Sequence, residues 1–123
     1  NLSPLGLREE IRLCRTLTER PFGVNCFLKD PECLDKARIS LELKVNALFT
    51  GIGNPAPVLD LARGSGVPVI PTVATVRHAL SSINAGVPLL VAEGQEGGGH
   101  IGSIGTLPLV AQVVAAVKAA VSL

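Results

Sequence analysis

The sequence has 123 residues and a formal net charge of +1, with 47% hydrophobic and 17% charged residues, which is typical of one soluble domain or a part of one. Its three aromatic residues are all Phe and it has no basic run, so the charged and stacking surfaces that bind nucleic acid are missing. No uninterrupted apolar stretch approaches the roughly 20 residues of a membrane-spanning helix. We therefore expect no nucleic-acid or membrane partner, and a cytoplasmic location, since no leader pattern opens the sequence.

The cysteines Cys14, Cys26 and Cys33 are odd in number and do not have the spacing of a CxxC pair. We interpret them as reduced thiols of the core or of helix faces, because free Cys usually behaves as a small buried hydrophobe. Cys26 falls at a predicted strand end beside the candidate site, so a functional role is its alternative. No metal site is expected.

Helices and strands alternate along the chain. Ser3 and Pro4 predict the start of a helix, because they form a cap followed by Pro at the first helical position. Caps and apolar spacing predict four further helices, which begin after Asp30–Pro31, after residues 53–55, at Thr75 and at Thr106. Apolar runs predict strands at residues 22–28, 45–50, 67–73 and 88–93.

Counted from starts near residues 22, 45, 68 and 88, the strands are 23, 23 and 20 residues apart. Apolar strands separated by helices predict a parallel sheet with right-handed crossovers. Two architectures fit four such units, namely a small open sheet and a section of a (β/α)₈ barrel, which takes about 250 residues when complete. The spacing alone leaves both open.

A glycine-rich segment, residues 92–102, follows the last predicted strand and has five glycines among eleven residues. Glycine lets the backbone adopt positive φ and approach a flat ring or a phosphate closely. The segment also contains Glu93, Glu96 and His100, and in parallel α/β proteins sites lie past the carboxyl ends of strands. We therefore predict a functional loop. Glu96 either orients His100 or caps free amides, whereas His78 is expected to be a solvated surface residue.

Polar residues at or near the other strand ends should lie close to this loop. Asn25, Thr50, Thr72 and Glu93 are expected to gather at one end of the sheet. Asn25 stands in an apolar run, so its amide is either tied to neighbouring backbone or directed at a ligand.

Three segments in order, FGVN (residues 22–25), TGIGNP (50–55) and EGQEGGGH (93–100), resemble the nitronate monooxygenase (2-nitropropane dioxygenase) family. That family also includes flavin-dependent enoyl-acyl-carrier-protein reductases. The resemblance implies a (β/α)₈ barrel of about four consecutive units here, with FMN at the carboxyl ends of the strands. It implies that Asn25, Glu93 and Gly98 contact the flavin and that His100 faces the substrate. We add Thr50, Thr72 and Gly99 to the expected cofactor contacts.

The implied function is oxidation of nitronates or nitroalkanes with O₂. The alternative is reduction of an enoyl thioester with NADH or NADPH. The resemblance to this reductase branch is carried by Glu93, residues 53–55 and residues 100–102. Many family members have Gln in place of Glu93 and Ala in place of Gly97. A second alternative is a non-catalytic half-barrel scaffold that pairs with itself or with another chain, because an open sheet leaves edges unpaired.

Compared with the family, residues 1–123 form one partial domain that lacks the first strand and the half that holds the FMN phosphate. We therefore expect the chain alone to bind FMN weakly or not at all.

Overall fold

A computed structural model describes residues 2–122 and shows four parallel strands in one sheet, with helices between them. The helices are α1 (Pro4–Leu17), α2 (Cys33–Glu42), α3 (Ala56–Ala62), α4 (Val76–Asn84) and α5 (Thr106–Val121). The strands are β1 (Gly23–Cys26), β2 (Ala47–Thr50), β3 (Val69–Val73) and β4 (Val91–Ala92). The sheet order is β1-β2-β3-β4, so each strand pairs with its neighbour in the chain. This sequential order confirms the predicted fold class, since a doubly wound sheet would reverse it.

All four strands are shorter than the sequence predicted. The last one was predicted at residues 88–93 and contains only Val91–Ala92. Pro88 has no N–H and cannot donate to a ladder, and Pro68 likewise precedes the first residue of β3. The pairing continues one step beyond β4, because Glu93 N donates to Val73 O at 3.0 Å.

Two of the predicted helix caps are present as hydrogen bonds. Ser3 Oγ accepts from Gly6 N at 3.1 Å, and Thr75 Oγ1 accepts from His78 N at 3.2 Å. The start of α2 differs from the prediction, because Asp30 Oδ1 accepts from Glu32 N in a turn and the helix begins only at Cys33.

The two faces of the sheet have different surroundings. One face packs against the helices and forms the core, in which Leu48 is completely buried. The opposite face, which we call the open face, includes Asn25, Phe49 and Ile70, which are register partners across β1, β2 and β3. Phe49 is 36% exposed. The open face is therefore where a ligand or further chain can contact the sheet.

Candidate functional site

The carboxyl ends of the four strands lie along one edge of the sheet. Cys26, Thr50 and Pro71 are register partners, and Val73 pairs with Ala92 in β4. The segments that follow the strands therefore leave from the same edge. The glycine-rich loop that follows β4 therefore leaves from the same edge as the segment that follows β1.

A ring contact joins the loop to β1. Phe27, the residue directly after β1, has its ring centroid 5.2 Å from that of His100, with an interplanar angle of 42°. Asn25 and His100 consequently lie at the same end of the sheet. The imidazole of His100 is exposed, and its nitrogens make no hydrogen bond within residues 2–122.

Asn25 is exposed on the open face, and its amide has no hydrogen-bond partner in the described part of the chain. The interpretation of Asn25 as a buried amide tied to backbone is wrong, because the face of the sheet away from the helices is uncovered here. Thr72 is half-buried on the same face, where it pairs with Val91. Both side chains are accessible to a ligand on that face.

Thr50 points to the other side of the sheet. Successive residues of a strand alternate between faces, so Thr50 shares the helix-covered face with Cys26. Its side chain is 0% exposed, and its Oγ1 is buried without a hydrogen-bond partner among the described residues. The hydroxyl of Thr50 is thus not on the face that exposes Asn25 and Thr72.

At three glycines of the loop, other atoms of the chain already occupy the space of a Cβ. A Cβ at Gly94 would lie 2.5 Å from Thr106 Cα, and one at Gly102 would lie 2.6 Å from Ala74 Cβ. A Cβ at Gly97 would lie 2.7 Å from Glu93 Cγ, so the side chain of Glu93 occupies the space above Gly97. The contacts of Gly94 and Gly102 hold the base of the loop against α5 and against the residue that follows β3.

Gly98 and Gly99 differ from these three, because a Cβ at either position would meet no atom within 4 Å. Gly99 has a φ of +74°, which favours glycine. Internal contacts and backbone strain do not account for glycine at residue 98. An exposed backbone without side chains, at the same end of the sheet as the unpaired amide of Asn25, is a surface that a flat ring such as a flavin can approach. The residues present therefore fit the ring of that cofactor.

Glu96 caps a helix and does not orient His100. Its Oε2 accepts hydrogen bonds from the backbone N and from Oγ1 of Thr106, both at 2.7 Å. The hydroxyl of Thr106, followed by its backbone N–H, lowers the pKa of Glu96 below its ordinary value of 4.5. The carboxylate therefore stays charged at the start of α5, where a negative charge is favourable.

The cysteine nearest the site is a core thiol. Cys26 is 2% exposed, and burial, with a smaller contribution from neighbouring Cys33, raises its pKa to about 12. A thiol with such a pKa remains protonated near neutral pH and is a poor nucleophile. This favours the structural role over the functional one.

Two findings were not predicted from the sequence. His78 is half-buried, and its Nδ1 is enclosed without a hydrogen-bond partner in the described chain, so the interpretation as a solvated residue is wrong. It lines a cavity of about 230 Å³ with Ser81 and residues 53–55. The contact of Phe27 with His100 was also missed, because residue 27 was predicted to lie inside the first strand, which ends at Cys26 in the structure.

No group of three His, Cys, Asp or Glu side chains within residues 2–122 is arranged to hold a metal ion. Over the same residues, none of the helices combines the length and apolarity needed to cross a membrane.

The sequential parallel strands, with a glycine-rich loop at their carboxyl edge, are the features of a segment of a (β/α)₈ barrel enzyme. The family model for nitronate monooxygenase matches residues 35–123, and the chain therefore belongs to the nitronate monooxygenase family. Members of this family are oxidoreductases.

Two solved structures are similar to the chain. FabK from Thermotoga maritima shares 37% identity at a TM-score of 0.90, with 94% of this chain and 37% of that one covered. Nitroalkane oxidase from Streptomyces ansochromogenes shares 27% identity at a TM-score of 0.81, with 93% of this chain and 46% of that one covered.

A curated relative in Rhodococcus jostii (strain RHA1) is 28% identical over 111 residues, covering 90% of this chain and 31% of that protein. It is named (3aS,4S,5R,7aS)-5-hydroxy-7a-methyl-1-oxo-octahydro-1H-indene-4-carboxyl-CoA dehydrogenase. The chain thus spans less than half the length of each of these three proteins.

Proposed function

We propose that this chain forms the ring-facing part of an FMN-dependent site that oxidises nitronates or nitroalkanes with O₂. The observation that carries the proposal is the exposed, unpaired imidazole of His100 at the carboxyl edge of the sheet, on the same side as Asn25. Membership of the nitronate monooxygenase family and the similarity to a nitroalkane oxidase support it.

FMN, when bound, would supply the redox chemistry, and the protein positions the substrate and moves protons. The backbone at Gly98 and Gly99 and the amide of Asn25 would contact the flavin ring. Glu93 and Thr72 would lie at the edge of the same surface. Thr50 would contribute through its backbone, because its hydroxyl points into the helix-covered core.

His100 is the proposed catalytic residue. A nitrogen of its imidazole can accept a proton from the carbon beside a nitro group. A nitronate has already lost that proton. The base is therefore needed for a nitroalkane substrate and not for its nitronate.

Replacing His100 by Asn tests this role, because Asn keeps a hydrogen-bond donor but cannot act as the base. We expect turnover of the nitroalkane to fall by about 10²–10⁴-fold, the usual contribution of acid–base catalysis, while nitronate turnover falls much less. Flavin absorbance should be retained. Equal losses on both substrates would contradict the base role, and a full-length protein that purifies without flavin would favour the scaffold alternative.

The second candidate is FMN-dependent reduction of an enoyl thioester, with NADH or NADPH as co-substrate. It is favoured by Glu93, which stands where many family members have Gln, and by the name of the Rhodococcus relative, which refers to a CoA derivative. Oxidation of NADH or NADPH dependent on an enoyl thioester, without turnover of nitro compounds, would select this branch.

We also propose that the groups holding the FMN phosphate lie outside residues 1–123, since the chain covers less than half of its relatives. Titration of FMN into this chain should give weak binding or none. Tight stoichiometric binding would show that these residues suffice.

A further inference from the structure

The base of the glycine-rich loop is well anchored, but its apex is not. Gln95 N donates to Ile104 O at 2.9 Å and Gly97 N donates to Gly94 O at 3.1 Å, whereas residues 98–103 make no such backbone bond within the described chain. His100 lies in the middle of this unbonded stretch. Its imidazole also lacks a hydrogen bond, so backbone and polar contacts do not set its orientation.

Phe27, in contrast, is attached to a fixed part of the fold. It follows β1 directly, and its carbonyl accepts a hydrogen bond from Asp30 N at 2.9 Å, which closes a turn. Its ring is 38% exposed and faces the imidazole of His100. The centroid separation of 5.2 Å lies inside the usual 4.5–7 Å range of favourable ring pairs.

We propose that Phe27 is a positioning residue that fixes the imidazole of His100 for proton transfer. This inference rests on the function proposed for His100 and adds a residue that the sequence motifs do not include. The rate of proton transfer depends steeply on geometry, since a displacement of about 1 Å can cost about 10²-fold. Phe27 has no group that can take the proton, and it therefore acts only through His100.

The chain offers a matched control in Phe49. That ring is 36% exposed, similar to Phe27, but it lies against Gly23, where a Cβ would be 2.7 Å from Phe49 Cε2. Phe49→Leu thus removes an aromatic ring of equal size that has no contact with His100. Phe27→Tyr keeps the ring and serves as the conservative variant.

The experiment compares Phe27→Leu, Phe27→Tyr and Phe49→Leu in the flavin-loaded enzyme. For Phe27→Leu we expect kcat on the nitroalkane to fall by about 10²-fold with little change in KM. Nitronate turnover should change little, because it needs no base. Phe27→Tyr should retain most of the rate. Phe49→Leu changes the open face on which the ligand is expected, so it controls for the ratio of the two turnover rates and not for their size, and that ratio should stay unchanged because Phe49 makes no ring contact with His100.

NMR supplies a readout that does not depend on activity. Ring protons of His100, assigned as the signals that His100→Asn removes, should be shifted by the nearby Phe27 ring, and Phe27→Leu should abolish that shift while Phe49→Leu preserves it. Unchanged His100 signals in Phe27→Leu, or equal loss on both substrates, would overturn the proposal. If the unmodified enzyme oxidises neither nitro compound, the proposed function fails with the catalytic part of this proposal, and the NMR shift still decides whether Phe27 holds His100.

Discussion

Glu96 and Thr106 are joined by two hydrogen bonds of 2.7 Å that close the glycine-rich loop onto the first turn of α5. One carboxylate oxygen accepts both bonds, so removing its charge weakens the loop and the helix cap together. The loop that presents His100 is therefore stabilised by an ionised group.

Stability should depend on pH through Glu96. Its folded-state pKa is lowered, so its contribution is present above the ordinary value of 4.5 and is lost as the pH falls below it, through the folded-state pKa. Glu96→Gln should lower the melting temperature by a few degrees at pH 7, and this difference should shrink as the pH falls below 4.5. Thermal unfolding followed by circular dichroism at a series of pH values measures these melting temperatures. The control Glu9→Gln changes an exposed carboxylate of α1 without a hydrogen-bond partner within residues 2–122, and an equal pH dependence there would contradict the assignment.

Replacement by Ala should affect stability differently at two glycines of the same loop. A Cβ at Gly94 meets the backbone of Thr106, so Gly94→Ala should destabilise the fold by about 1–3 kcal/mol, as overpacking does. A Cβ at Gly98 would meet open space, so Gly98→Ala should change the free energy of unfolding by no more than about 0.5 kcal/mol. The same substitution should weaken flavin binding. Chemical denaturation of this chain and flavin titration of the full-length protein separate the two effects. Equal destabilisation by both substitutions would show that the loop is packed differently.

Thr50→Val tests the enclosed hydroxyl. Valine has nearly the shape of threonine, and an unpaired buried hydroxyl carries a desolvation penalty, so the substitution should stabilise the protein by about 1 kcal/mol. Flavin affinity should not change, because the side chain faces the helices. Weaker flavin binding in Thr50→Val would instead assign the hydroxyl to the cofactor. Thr72→Val, on the open face, is the matched comparison.

The thiols should differ in reactivity. Cys26 has a pKa of about 12 and is enclosed, so it should resist alkylation by iodoacetamide at pH 8 until the protein unfolds. Cys14 is only half-buried and should be labelled first. Peptide mass spectrometry with and without denaturant gives the order. Labelling of Cys26 in the native protein would contradict its burial.

The fold could be predicted because its signals are local. Regular spacing of apolar runs predicted the parallel alternation of strands and helices, and the family resemblance added the sequential strand order that the structure shows. The caps at Ser3 and Thr75 act within three residues of their partners. The faces of Asn25 and Thr50 could not be predicted, because apolar runs do not show which side of a strand the helices cover. The burial of His78 and its place beside residues 53–55 depend on packing between distant segments.

The shortness of β4 has a consequence for motion. Val91–Ala92 form an edge strand paired only with β3 among the described residues, whereas β2 pairs on both sides. Local opening starts where backbone hydrogen bonds are fewest, so amide hydrogen exchange should be fastest at the edge that supports the glycine-rich loop and slowest in β2. The loop that contains His100 therefore follows the strand that opens most easily. A further strand paired with β4 should slow amide hydrogen exchange first in β4.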